Sequence, residues 1–193
     1  MRLVVDTLPL RTRRLSLAVL GAGCVDALVA GRRATQDFVV PTWWPDDEAR
    51  VVLMLLQERL EAFTGREAWR PRAMVDRAGV MVGHVGFHLP PRPLAVALAD
   101  PSFSGVIDDA AAGAVEIGYT VFPSSRGRGL ATEAVAALTE SAFATGAVGA
   151  VVATVLPENR PSLRVLRHVG GFERAGTCED DAGRRELVFV KRR

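Results

Sequence analysis

Cysteine is scarce in this chain: Cys24 and Cys178 are the only two. A pair of thiols so far apart makes neither a disulfide framework nor a metal set, so a reducing, cytoplasmic setting is expected. Lysine is scarcer still. Lys191 is the single lysine among 24 basic residues, and the formal net charge is only +2. That charge is too small to announce nucleic acid, and no such partner is expected. No apolar run approaches the roughly 18 residues that would span a bilayer, so no membrane partner is expected either. Histidine is limited to His84, His88 and His168. None has ligand spacing with a carboxylate, so no metal is expected. His84 and His88 are four apart, which on a strand puts them on one face as polar residues or as part of an acceptor side.

What remains is ordinary. The 193 residues are 49% hydrophobic and 24% charged, enough for a single soluble domain over 1–193 with a sizeable core. One stretch competes with the cytoplasmic reading. "RTRRLSLAVLGAGC" (Arg11 to Cys24) has the paired arginines, apolar run and small residues of a twin-arginine export signal. Its apolar run is short, however. "RLSLAVL" equally alternates Leu15, Leu17 and Val19 on one face of a strand that turns at Gly21.

Along the chain, Arg13 to Leu20 reads as a first strand and "CVDALVAGRR" as a short helix ended by Gly31. "VVPTWWP" (Val39 to Pro45) is a loop whose Trp43 and Trp44 either join the core or wall a pocket. "DDEARVVLMLLQERLEAF" is a helix with Asp46, Asp47 and Glu48 in its first turn, where the dipole favours negative charge. "WRPRAMVD" and "VMVGHVGFHL" read as a hairpin about Arg77-Ala78-Gly79. Pro90 to Gly113 reads as an irregular insertion. "AVEIGYTVF" is a strand, about Gly129 to Thr145 a helix, and "GAVVATVL" a buried strand. "PENRPSLRVLRHVG" is a helix starting near Asn159. "GFERAGTCED" and "RRELVFVKRR" are two last strands about a turn at Asp180 to Gly183. The expected order is β-α-α-β-β-β-α-β-α-β-β, a mixed α/β (α+β) fold rather than a regular doubly wound one.

"RGRGLA" (Arg126 to Ala131) lies between a strand and a helix. Glycines there let backbone N–H groups converge on a ligand. The first turn of the helix, with its unsatisfied N–H groups and its dipole, favours an anion. Arg126 and Arg128 add positive charge. It is not the nucleoside-triphosphate loop, and the dinucleotide fingerprint fails at Thr132. The residues alone suit a pyrophosphate cradle or a plain turn with two surface arginines.

The segments "EIGYTVFPSSRGRGLATEAVAALTESAF" and "VVATVLPENRPSLRVLRHVGGFERAG" resemble the GNAT superfamily of acetyl-CoA-dependent N-acetyltransferases. The resemblance is nearest to its ribosomal-protein N-terminal (serine/alanine) acetyltransferase branch. Arg126, Gly129 and Ala131 meet the motif [QR]-x-x-G-x-[GA]. Asn159, Ser162, Gly171 and Phe172 meet a second block, N-x-x-S with a later G-F.

The resemblance implies a sheet of mostly antiparallel strands, splayed between the fourth (around Tyr119 to Phe122) and the fifth (around Ala153 to Val155), with helices on both faces. It implies that coenzyme A pyrophosphate is held by Arg126, Gly127, Arg128, Gly129, Leu130 and Ala131, with Thr132 close by, and its pantetheine arm by Asn159. A backbone N–H at Thr120 or Val121 would polarise the thioester carbonyl. Glu116 would be the general base or a strand-end glutamate anchoring a neighbour. Ser162 would protonate the leaving thiolate or cap its helix. Relatives often have a tyrosine where this chain has Leu166. The implied activity is direct acetyl transfer from acetyl-CoA to a primary amine, on a protein N-terminus or a small molecule. The alternative is a catalytically weak acetyl-CoA sensor or structural relative. A homodimer is also compatible.

Overall fold

The computed structural model describes residues 8–35, 37–44, 50, 53, 54, 56–58, 60–91, 113–180 and 182–193. Asp46, Asp47 and Glu48, and the insertion between Pro91 and Gly113, lie outside these residues. The chain forms two compact units: Met1–Pro90 with Tyr119–Leu130, and Pro91–Gly118 with Ala131–Arg193.

In the first unit, strands β1 (Leu10–Arg11), β2 (Ser16–Val19), β3 (Arg72–Val75) and β4 (Met81–Phe87) pair antiparallel in chain order. The strand expected over Arg13 to Leu20 is β2, and a short further strand, β1, precedes it and makes the pair a hairpin. The reason is Thr12: its N–H bonds to the Leu15 carbonyl at 2.9 Å, and its Oγ1 accepts from the Leu15 N–H at 3.0 Å. This local side-chain bond folds the chain back before Ser16. The β3–β4 turn is built the same way. Asp76 Oδ1 accepts from the N–H groups of Ala78 (2.9 Å) and Val80 (3.0 Å), and Gly79 takes φ +78°.

The register of β3 on β4 jumps from Met74↔Gly83 to Val75↔Met81, which leaves Val82 as an extra residue. The bulge puts Met81 and His84 on the face shared by Ala73 and Val75. On that face Ala18, Ala73, Val75 and Met81 pack with Val25 and Leu28 of α1 (Ala22–Val29) and with Trp44, Leu53, Leu60 and Phe122. The helix expected after residue 45 is helical at residues 50, 53, 54 and 56–58, and tightens into a 3₁₀ turn at Leu60–Phe63.

In the second unit, β5 (Gly113–Val121, to Gly118) pairs parallel with β6 (Val148–Val155). β8 (Arg185–Arg192) then pairs antiparallel with β6, and β7 (Glu173–Glu179) with β8. Parallel pairing needs a crossover, and α2 (Leu130–Ala144) supplies it. Its Ala134, Val135, Leu138 and Ala142 are buried at helical spacing. The β5–β6 ladder runs from Gly113 to Glu116, opposite Val148 to Val152, and stops there although both strands continue. Helix α3 (Arg160–Val169) ends at Gly170, φ +75°, whose carbonyl accepts from Lys191 Nζ at 2.9 Å. The chain's one lysine thus satisfies a helix C-terminus.

Candidate active site

Between β5 and α2, a 3₁₀ turn at Pro123–Ser125 leads into the loop at Arg126. Gly127 and Gly129 take φ +74° and +73°. A side chain at either position would strain the backbone, so these glycines are required by geometry. Arg126 Nε donates to the Val121 carbonyl at 2.9 Å, drawing the loop back onto the strand end. Arg14 Nη1, from the β1–β2 turn, donates to the Arg128 carbonyl at 2.6 Å. Among the described residues, no backbone carbonyl meets the N–H groups of Gly127, Arg128 and Gly129. Unpaired N–H groups ahead of a helix, next to arginines, suit an anion.

The end of β5 is fixed by Gly83. A Cβ built there would lie 2.2 Å from the Thr120 carbonyl oxygen and 3.0 Å from Val121 Cα. Only glycine lets the backbone at Thr120 and Val121 come so close. Phe122 continues from this point, its N–H on the Val82 carbonyl at 2.9 Å. Its ring packs edge-on against Trp43 (5.0 Å, 76°) and tilted against Trp44 (5.7 Å, 36°). Trp44 is a core residue at 5% exposure, whereas Trp43 stays 44% exposed.

His84, next along from Gly83, keeps some accessible surface yet is closely surrounded. Burial pushes its pKa down to about 4, so the ring is neutral at neutral pH. His88 lies beyond the end of β4 and is exposed, so the two histidines do not form one polar face.

In the second unit, Glu116 is half-buried and its Oε1 accepts from Thr154 Oγ1 at 2.8 Å. Glu186 of β8 approaches the same hydroxyl. Burial raises its pKa, the Thr154 bond opposes the rise, and the charges of Asp180 and Glu116 add to it. A hydroxyl has one proton to give, so Thr154 serves one carboxylate at a time. Asn159 is the N-cap of α3: its Oδ1 accepts from the Ser162 N–H at 3.2 Å. The cap is therefore Asn159, and Ser162 sits one turn inside. Leu166 is 2% exposed, part of the core, which accounts for an apolar residue there. Ala131 and Thr132 occupy the half-buried first turn of α2. No group of three or more His, Cys, Asp or Glu able to hold a metal lies among the described residues. No helix among them is long and apolar enough to cross a membrane.

The contacts of Arg14, Thr154 and Glu186 with these residues were not legible in the sequence. Arg14 lies 114 positions from its partner, and Thr154 lies 38 from Glu116, so no local signal could mark either pair.

The family model described as an acetyltransferase (GNAT) domain matches residues 25–171. The chain belongs to the GNAT acetyltransferase family. The GNAT donor is acetyl-CoA, and the mixed α/β architecture is that of the GNAT fold. No curated protein matches the sequence. Among solved structures, a protein of Bordetella pertussis assigned to the GNAT family is 26% identical, with TM-score 0.63, covering 95% of this chain and 98% of that one. The ribosomal-protein-S5-alanine acetyltransferase of Vibrio fischeri is 14% identical, with TM-score 0.62 and 96% of each chain covered. The aminoglycoside acetyltransferase AAC(6')-Ib, solved with coenzyme A, is 23% identical, with TM-score 0.60, covering 93% of this chain and 95% of that one. At those identities the last two show a shared fold only.

Proposed function

We propose that this protein is an N-acetyltransferase that moves the acetyl group of acetyl-CoA directly to a primary amine, on a protein N-terminus or a small molecule. The observation that carries the reading is the loop at Gly127–Gly129, with its positive φ angles, its N–H groups that no backbone carbonyl among the described residues meets, and its adjoining arginines. Arg126 to Ala131 hold the pyrophosphate, with Thr132 in the following turn. The pantetheine arm runs beside Ile117 and Gly118, where the ladder to β6 has already ended, and this placement is supported by the register. Asn159 offers its side-chain amide to the same arm while capping α3.

The amine nitrogen attacks the thioester carbonyl carbon. The C–N bond forms, the C–S bond breaks, and no bond to the protein is made. The negative charge that develops on the carbonyl oxygen is met by a backbone N–H at Thr120 or Val121. Glu116 takes the proton that the amine must lose, and Ser162 supplies one to the departing thiolate. The solved neighbours include enzymes named for aminoglycoside, spermidine and ribosomal-protein acetylation. Such chemically different acceptors on one fold favour N-acetylation in general over any one acceptor.

A second reading, a weakly catalytic acetyl-CoA sensor, is favoured by Leu166, which leaves no phenol at that position of α3. One assay separates the two. Acetyl-CoA is incubated with a panel of amines and peptides, and free thiol is followed. Amine-dependent thiol release supports the enzyme. Heat-stabilisation by coenzyme A without turnover supports the sensor, and no stabilisation overturns both.

A further inference from the structure

We propose that Arg14 is a positioning residue for the donor loop: by holding the Arg128 carbonyl it aims the Gly129 N–H at the pyrophosphate of acetyl-CoA. The proposal rests on the reading of that loop as the pyrophosphate cradle.

The Arg128 carbonyl and the Gly129 N–H belong to one planar trans peptide, so they point in opposite directions. Fixing one fixes the other. Arg14 Nη1 meets the carbonyl oxygen at 2.6 Å, a short charge-assisted bond. Its Nη2 lies 3.4 Å from where a Cβ of Gly129 would stand. The guanidinium therefore occupies one side of the loop, and the Gly129 N–H is turned to the other. The need for such a hold is local. Gly127 and Gly129 flank Arg128, and both take left-handed φ. Glycines on either side let this peptide plane rotate at little steric cost. A rotated peptide would present its carbonyl, the negative end of the dipole, to an anion.

Arg14 is itself anchored. It sits in the β1–β2 turn closed by Thr12, and Arg77, from the β3–β4 turn, donates to the carbonyl of the neighbouring Arg13. Two turns of the first unit thus brace the residue that braces the loop. Arg126, by contrast, spends its Nε on Val121 at the strand end, so the two arginines hold opposite ends of the loop.

The test combines titration calorimetry with coenzyme A and amide NMR of glycine-labelled full-length protein. In the wild type, coenzyme A is expected to move the Gly129 amide signal strongly and leave that of Gly183 in place. Arg14→Met is expected to weaken coenzyme A binding ~10-fold, the usual scale for a charge-assisted bond. Its Gly129 shift should be lost and its melting temperature kept. The proposal is overturned if Arg14→Met binds coenzyme A like the wild type. It is also overturned if binding weakens while the Gly129 signal still moves as before, since Arg14 would then act by charge alone. Should Arg14→Met fail to fold, the wild-type titration decides: a Gly129 amide unmoved by bound coenzyme A overturns the proposal. Gly129→Glu separates the two levels. If it binds coenzyme A undiminished, the cradle reading itself falls. If it loses binding and Arg14→Met does not, only the role of Arg14 falls.

Discussion

Thr154 of β6 donates its hydroxyl to Glu116 of β5 across 2.8 Å, and the same hydroxyl faces Glu186 of β8. Two carboxylates, on the strands either side of β6, compete for one donor. Thr154→Val removes it with little change in shape. The Glu186 pKa, already raised by burial, should rise further, because the one hydrogen bond that opposes the shift is gone. Carboxyl-carbon NMR titration reads this directly. If Glu116 is the base, turnover should also fall, by about 10-fold, with the acetyl-CoA affinity unchanged.

His84 makes stability depend on pH in a defined direction. Its pKa falls from 6.5 to about 4 on folding, so the unfolded chain binds more protons between those values. Stability is then fully present above about 6.5 and is lost as pH falls toward about 4, by about 3 kcal/mol if the shift is realised in full. His84→Leu should flatten that slope in urea unfolding measured at several pH values. Glu186 acts with the opposite sign. Its raised folded pKa favours the neutral form, so its contribution is lost as pH rises through 4.5 and beyond. Glu186→Gln should therefore stabilise the protein at neutral pH.

Gly83 is where the β5 backbone comes closest. A methyl group there meets the Thr120 carbonyl oxygen at 2.2 Å, and backbone must move to admit it. Gly83→Ala is expected to cost about 1–3 kcal/mol, the scale of overpacking. It should also displace the Thr120 and Val121 N–H groups assigned to the thioester, so turnover should fall by more than acetyl-CoA affinity. Denaturant unfolding and steady-state kinetics on the same preparation check both.

Asn159 carries a capping role that the geometry defines and a cofactor role that is proposed. Asn159→Ala should lose about 1 kcal/mol through the missing cap. Asn159→Asp keeps an acceptor for the Ser162 N–H and should fold as stably as the wild type. If its amide also binds pantetheine, Asn159→Asp should still weaken coenzyme A binding. Equal affinity in that variant would leave the residue a cap alone.

Much of the fold was legible because its signals are local. Val135, Leu138 and Ala142 repeat at helical spacing, and the Asp76 and Asp180 turns announce their hairpins. The first expected strand is present as Ser16–Val19, but its hairpin partner Leu10–Arg11 was not legible. "RLSLAVL" alternates as a strand should, but the turn ahead of it depends on a Thr12 side chain whose bond to Leu15 leaves no trace in periodicity. The histidine pair failed similarly. Spacing put His84 and His88 on one face, but β4 ends at Phe87 before reaching the second.

By itself the sequence determined the family, and with it the acetyl-CoA donor, because its motif residues Arg126, Gly129 and Ala131 are nearly consecutive. Left-handed backbone at Gly127 and Gly129, ahead of a helix, is likewise a property of consecutive residues. Tertiary structure alone decided what surrounds these pieces: Arg14 on the loop, Gly83 beneath Thr120, and Thr154 between two carboxylates. Each joins residues distant in sequence, brought together by strand register and packing, and a register is set by the whole core rather than by the residues that use it.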